Sequence, residues 1–218
     1  MIFADRVDAG RRLAAELKGV CPGDGVVLAV PRGGVVVGAE VARELGFPLD
    51  VVIPRKIGAP QNPELAIGAV TQDGTVYLNR PLMAALGIGE EEVFALVKEE
   101  EAEIERRMRL YRGSTEYPAY DGRCVIVVDD GIATGYTITA ALRWVRKKFS
   151  PCKLILAVPV APRETAVRLK GEVDQLVVLS SPADFYAVGQ FYRDFSQTSD
   201  RDVIDLLEEN KKALRRSK

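Results

Sequence analysis

Val125-Ile126-Val127-Val128-Asp129-Asp130-Gly131-Ile132-Ala133-Thr134-Gly135-Tyr136-Thr137 is the stretch on which a reading of the chain turns. Its four opening β-branched residues predict a strand buried on both faces. Two adjacent carboxylates fall where that strand ends. Small and hydroxyl-bearing residues then lead into Ile138, Ala141, Leu142, Val145 and Phe149, which make one helical stripe. A strand, a pair of acids and a tight turn opening a helix is how an open α/β sheet builds a sugar-phosphate site at its carboxyl edge.

The pattern repeats outward from this stretch. Val26 to Val30 and Leu49 to Ile53 predict buried strands, each followed by a basic turn: Pro31-Arg32-Gly33-Gly34 and Pro54-Arg55-Lys56. Val37, Val41 and Leu45 mark a helix that Gly46 stops. Asp5 is placed to cap a helix running to Lys18. Leu154 to Val158 and Leu176 to Leu179 predict two more strands around a short helix near Arg163 to Lys170. A tail helix from about Ser199 is expected to bury Val203, Leu206, Leu207 and Leu214. Ile67 to Val70 and Thr75 to Leu78, joined through Asp73-Gly74, predict a β-hairpin. Ala59 to Glu64 carries two prolines and is expected to be irregular. Glu90 to Tyr111 reads as a charged helix with Val93, Val97, Ile104, Met108 and Tyr111 on one side, and Glu103 and Glu105 each four residues before an Arg. Such a helix is ordinarily a solvated face; a dimer contact is the minority reading. The sum is a single α/β domain over 1–218, an open, mostly parallel twisted sheet with helices on both faces. A hairpin excursion, a helical insertion at about 81–112 and a C-terminal hood and tail at about 182–218 complete it.

Composition narrows the chemistry. The net charge is −1 over 218 residues, which gives no general attraction to nucleic acid or an anionic membrane. No apolar run is long enough for a membrane span. There is no histidine, so His-based triads and the commonest zinc ligands are excluded. Cys21, Cys124 and Cys152 form no CxxC pair and read as reduced and buried, the pattern of a cytoplasmic protein.

Two carboxylates at a strand end accept hydrogen bonds from vicinal sugar hydroxyls and add charge for a divalent cation. One such Asp alone would read as a helix cap or turn residue. Ala133 to Thr137 lets backbone N–H groups approach an anion, with hydroxyls from Thr134 and Thr137 and the positive end of the next helix. Neither G-x-x-x-x-G-K-[ST] nor G-x-G-x-x-G occurs, so a nucleoside-triphosphate loop and a dinucleotide fingerprint are both absent. Arg32 with two glycines after a buried strand suits a pyrophosphate; the plainer reading is a strand-to-helix turn.

Val125 to Thr137 resembles the phosphoribosyl-pyrophosphate signature of the type I phosphoribosyltransferases: four hydrophobic residues, two acids, a short turn, then Thr-Gly-x-Thr. The order of elements extends the resemblance over roughly Val26 to Ser181. It implies a Mg²⁺-dependent transfer of 5-phosphoribosyl from phosphoribosyl pyrophosphate to a nitrogen of an acceptor, expected to be a heterocyclic base, with release of pyrophosphate. Asp129 and Asp130 would hold the ribose hydroxyls and contribute to the metal through the ligand or water. Ala133, Thr134, Gly135, Tyr136 and Thr137 would wrap the 5′-phosphate, and Arg32, Gly33 and Gly34 the pyrophosphate, with a cis peptide bond entering Arg32. Arg55 and Lys56, with the stretch to Glu64, occupy the place of the family's mobile hood loop, where a cation closes on the leaving group; Lys56 is the stronger candidate. Relatives of this type are commonly dimers, so a homodimer is expected.

Two departures stand out. Gly131 replaces an aliphatic or Ser, and Ala133 replaces the Asp that faces the purine in the purine-salvage members. Tyr186, Val188 and Tyr192 are the candidates for contacting a base, although aromatics after a last strand are more often core. The alternative function is a non-catalytic sensor that keeps the phosphoribosyl site to gate a partner. The Arg32 and Lys56 cations favour the enzyme.

Overall fold

Strands without a wettable face must be covered on both sides. In the computed structural model, which describes residues 1–216, a parallel sheet between two helical layers meets that condition; Ser217 and Lys218, the end of the expected tail, lie outside the described residues. Helix α1 (Arg6–Glu16) begins at Asp5, whose carboxylate accepts the Asp8 N–H at 2.8 Å, a cap worth about 1 kcal/mol. Strand β1 (Gly25–Ala29) leads into α2 (Gly33–Leu45), which ends at Gly46 in the left-handed region, φ 69°. Then come β2 (Leu49–Val51), β3 (Arg55–Ala59), β4 (Asn62–Val70), β5 (Val76–Leu78), α3 (Arg80–Leu86) and α4 (Glu90–Arg112). The second half contains β6 (Cys124–Val128), α5 (Tyr136–Phe149), β7 (Lys153–Val160), α6 (Arg163–Leu169), β8 (Gln175–Ser180) and α7 (Asp200–Arg216).

Among the described residues, β2-β1-β6-β7-β8 form one sheet in that order, with every pair parallel. Side chains along its strands alternate between two cores. Cys124, Ile126 and Val128 of β6 face the core that includes Leu13 of α1, Val37 and Val41 of α2 and Val203 of α7. Val125 and Val127 face the opposite core, with Ile138, Ala141, Leu142, Val145 and Phe149 of α5. The expected stripe of α5 is therefore the face that buries. From β1 the chain proceeds outward to β2, and from β6 it proceeds the other way to β7 and β8. The crevice between the loops after β1 and β6 is the switch point of the sheet, where ligands of open α/β folds sit.

Beside the main sheet, β3, β4 and β5 form an antiparallel sheet. The expected hairpin is its β4–β5 half, with Asp73 accepting from Thr71 Oγ1 at 2.8 Å and from Thr75 N at 3.1 Å. The other half corrects the sequence reading of Ala59 to Glu64, which is strand on both sides of a turn. Gly58 pairs with Ala66 and Ala59 with Asn62, so residues 63–65 bulge and Pro63 owes no ladder hydrogen bond. A Cβ on Gly58 would lie 2.4 Å from the Pro63 carbonyl oxygen, which is why glycine stands there.

Two further expectations are revised. Cys21 and Cys124 are joined in a disulfide, since the turn after α1 ends beside the first residue of β6, and Cys152 is exposed. Three reduced, buried thiols are not what the fold contains. In α7, Val203 and Leu207 are buried while Leu206 and Leu214 are only half-buried, because the helix lies over α2 and the β2 edge.

Helix α4 buries the five residues expected of it and keeps the Glu103–Arg107 (2.6 Å) and Glu105–Arg109 (2.7 Å) pairs on its outer side. Its C-terminus is tied to the main sheet by Arg112, whose guanidinium bonds Asp50 of β2 twice, at 2.6 and 3.0 Å. Tyr120 Oη donates to the same carboxylate at 3.0 Å, and the Arg112 guanidinium lies 3.9 Å over the Tyr117 ring. Removing one partner of a buried pair strands the other charge. Arg112→Met is accordingly expected to cost about 3–5 kcal/mol in urea unfolding. Asp50→Leu added to it should recover much of the loss, and an unmoved midpoint in the single variant would show that the pair holds nothing together.

Candidate functional site at the carboxyl edge of the sheet

β1 and β6 run in register from Gly25–Cys124 to Ala29–Val128, so their following loops start level. Val30 N continues the ladder by donating to Val128 O at 2.9 Å. The Pro31–Arg32 peptide bond is cis, as the resemblance implied, and α2 starts directly after it. That helix start rests on the acids at the end of β6. A Cβ on Gly34 would lie 2.9 Å from Asp129 Cα, and one on Gly33 would lie 1.9 Å from Asp130 Oδ2. Both glycines are needed first to make room for the carboxylates.

The acids are held in distinct ways. Asp129 Oδ1 accepts the Asp130 backbone N–H at 2.8 Å. Asp130 Oδ2 accepts Arg6 Nε–H at 2.7 Å, across 124 residues of sequence. Tyr192 Oη donates to the Asp130 carbonyl at 2.5 Å. One oxygen on each carboxyl, Asp129 Oδ2 and Asp130 Oδ1, stays outside these bonds. Burial, followed by the charge of Asp130, holds the Asp129 carboxyl well above the ordinary carboxylate range. Arg6 is a site residue that sequence reading passes over. It stands in a helix with Arg11 and Arg12, and no local pattern separates it from them.

On the far side of the acids, Gly135 caps α5 in the left-handed region, φ 75°. The first α5 bond is Thr139 N to Gly135 O at 2.9 Å, so the N–H groups of Tyr136, Thr137 and Ile138 have no helical acceptor and suit an anion. The loop carbonyls are engaged from α6: Thr165 Oγ1 donates to Ala133 O at 2.8 Å, and the Arg168 guanidinium donates to Thr134 O and lies 5.2 Å over the Tyr136 ring. Gly131 is also explained. A Cβ there would lie 2.4 Å from Val188 Cγ1, so the departure at this position admits the C-terminal segment.

The basic candidates are placed less uniformly. Arg32 stands in the loop after β1, with its guanidinium 3.7 Å from Asp200 at the start of α7. Asp200 also accepts from Tyr111 Oη at 2.5 Å. Burial and then that bond push the Tyr111 hydroxyl up to about 12. Arg55 and Lys56 lie on β3, not in a mobile loop, because 55–59 pairs along β4. The Arg55 guanidinium faces α4, bonding Glu100 at 2.6 Å, rather than the acids.

The base candidates separate as well. Tyr192 is buried between Phe3 and Phe195, and it braces Asp130 instead of offering its ring to a ligand. Val188 packs on Gly131, whereas Tyr186 is 89% exposed. Phe185 instead lines a cleft of about 640 Å³ with Ala133, Thr134, Tyr136 and Arg168. Among the described residues no group of three or more His, Cys, Asp or Glu could hold a metal alone, and no helix is long and apolar enough to cross a membrane.

Comparison with known proteins identifies the family. A family model described as "Phosphoribosyl transferase domain" matches residues 4–196. The chain is 42% identical over 207 residues to a Mycobacterium tuberculosis protein whose name assigns it, provisionally, to the phosphoribosyl transferases; the alignment covers 95% of this chain and 46% of that one. The chain thus spans about half the length of this relative. An adenine phosphoribosyltransferase of Rhodococcus opacus is 31% identical over 144 residues, 66% of this chain and 61% of the enzyme. The crystal structure of TT1426 from Thermus thermophilus matches with a TM-score of 0.80 at 42% identity, over 96% of this chain and 99% of that one. The chain belongs to the phosphoribosyl transferase family.

Proposed function

We propose that the chain transfers 5-phosphoribosyl from phosphoribosyl pyrophosphate to a nitrogen of a heterocyclic base and releases pyrophosphate. The observation that carries this reading is the carboxylate pair set between two helix starts, α2 on one side and α5 on the other. A ligand with vicinal hydroxyls in its middle and phosphate at both ends fits that arrangement. Asp129 Oδ2 and Asp130 Oδ1 accept from the ribose hydroxyls, the N–H groups opening α5 take the 5′-phosphate, and Arg32 with the start of α2 takes the pyrophosphate.

The C1–O bond to pyrophosphate breaks as the C1–N bond forms, and negative charge grows on the leaving group. Cations fixed beside it lower the barrier, because their dipoles and charges need no reorganisation when the charge appears. Arg32 in the loop after β1 and Lys56 on β3 are assigned to supply those cations with the donor bound. Mg²⁺ keeps several waters and takes phosphate oxygens readily; Asp129 and Asp130 would hold it through the donor or water, and it would supply charge that neutralises the polyphosphate. The engagement of Arg55 by Glu100 and the approach of Arg32 to Asp200 keep the sensor reading in play. Pyrophosphate release measured with a panel of purines, pyrimidines and ring acids separates the two. Silence across the panel, with tight donor binding, favours the sensor.

Asp129→Asn with Asp130→Asn is expected to abolish donor binding in a calorimetric titration with Mg²⁺, and unchanged affinity would sink the ribose assignment. Asp129→Asn alone tests the electrostatics. A carboxyl whose proton is held more tightly folded than unfolded costs stability once ionised, and that cost disappears as pH falls through its folded value. The Asn variant should therefore have a Tm at pH 7 equal to or above that of the natural chain, and should lack the gain in stability that the natural chain shows on acidification. A lower Tm at pH 7 would contradict the pKa direction. Lys56→Ala is expected to lower kcat by roughly 10²-fold with little change in KM for the donor. A change in KM alone would remove Lys56 from the transition state.

A further inference from the structure

Arg6 is part of the site that neither the family signature nor the strand-end pattern indicates. Its side chain is 11% exposed, and the guanidinium is held by two hydrogen bonds and a ring stack. Nε donates to Asp130 Oδ2 at 2.7 Å, NH1 donates to the Ser196 carbonyl at 2.7 Å, and the planar group lies 3.9 Å over the Phe195 ring. A lysine could supply the charge but not this fork and stack together.

We infer that Arg6 is the positioning residue of the ribose-binding pair: it anchors one oxygen of Asp130 to the C-terminal segment, so that Asp130 Oδ1 is turned beside Asp129 Oδ2 to meet two vicinal hydroxyls. The inference rests on the proposed ribose assignment. One side-chain contact sets the Asp130 carboxylate, and two neighbouring features frame it. Arg6 holds Oδ2, Tyr192 holds the residue's own carbonyl, and Gly33 leaves the gap in which the ion pair lies, since a Cβ there would be 2.6 Å from Arg6 Nε. Without the guanidinium, Asp130 is free to rotate about χ1 and χ2 next to a second acid. Its Oδ2 then has no guanidinium to hold it, and the carboxylate leaves the orientation that a cis-diol needs. A purely structural ion pair would predict something else, namely a general loss of folding or of all ligand binding with no change in selectivity for the hydroxyls.

The test compares ribose 5-phosphate with 2-deoxyribose 5-phosphate in calorimetric titrations of the full chain, which share the phosphate and differ in one hydroxyl of the pair. The natural chain is expected to prefer the ribose compound by at least tenfold. Arg6→Met should reduce that preference to within about threefold while leaving 2-deoxyribose 5-phosphate binding nearly unchanged. Phe195→Leu, which removes the stack but keeps the cation, should fall between them. Where Arg6→Met does not fold, Arg6→Lys decides by the same ratio, with a preference below that of the natural chain. A preference kept in full by the Arg6 variants, or equal weakening of both ligands, overturns the positioning role. No preference in the natural chain defeats the ribose assignment itself, and the inference falls with it.

Discussion

The start of α2 lies directly on the two acids at the end of β6, with no space for a side chain at Gly33 or Gly34. Much of the site follows from that contact. It requires β1 and β6 to be neighbours ending level, which the parallel register supplies. It puts the positive end of one helix beside the carboxylates, and the turn after the acids brings up that of another. The arrangement needs backbone, two glycines and two acids, and little else. For that reason a short stretch of sequence can announce it.

The same closeness creates an electrostatic problem. Burial at the strand end penalises the charged form and the neighbouring Asp130 charge adds to the cost, so Asp129 holds its proton more firmly than a free carboxyl. The fold answers from outside the motif. Arg6 at the start of α1 compensates Asp130, while Tyr192 engages its backbone; both bear on the C-terminal segment through Phe195. Binding capacity and stability are therefore set against one another at Asp129, and the balance is kept by residues far away in the chain.

What could be read from sequence follows from how local each determinant is. The main strands were legible because burial on both faces demands uninterrupted apolar runs. The α5 stripe and the hairpin turn at Asp73-Gly74 were legible from helical spacing and turn chemistry. Pro63 concealed part of β4, since a proline in a ladder is tolerated only where a bulge relieves it, and the bulge depends on Gly58 across the strand. Arg6 was hidden because its partner lies 124 residues away. Tyr192 stands among the base candidates because its burial depends on Phe3 and Phe195, which no periodicity connects to it. The Cys21–Cys124 pairing has the same character, with a sequence separation of 103.

The cleft beside the Ala133–Gly135 loop is governed by contacts of this second kind. Val188 reaches the signature only because position 131 lacks a side chain, and that contact fixes where the segment carrying Phe185 can run. Thr165 and Arg168 hold the carbonyls of Ala133 and Thr134 from the side of the cleft that Phe185 lines. A group entering the cleft thus meets the outer surface of the loop whose other end opens α5. In the proposed function, donor and acceptor share one short piece of backbone, Ala133 to Gly135, anchored by α6 on one side and by the first turn of α5 on the other. Substitutions in α6 accordingly act on the loop that opens α5, which the proposed function gives to the 5′-phosphate, because its carbonyls are bonded and Gly135 closes it at positive φ.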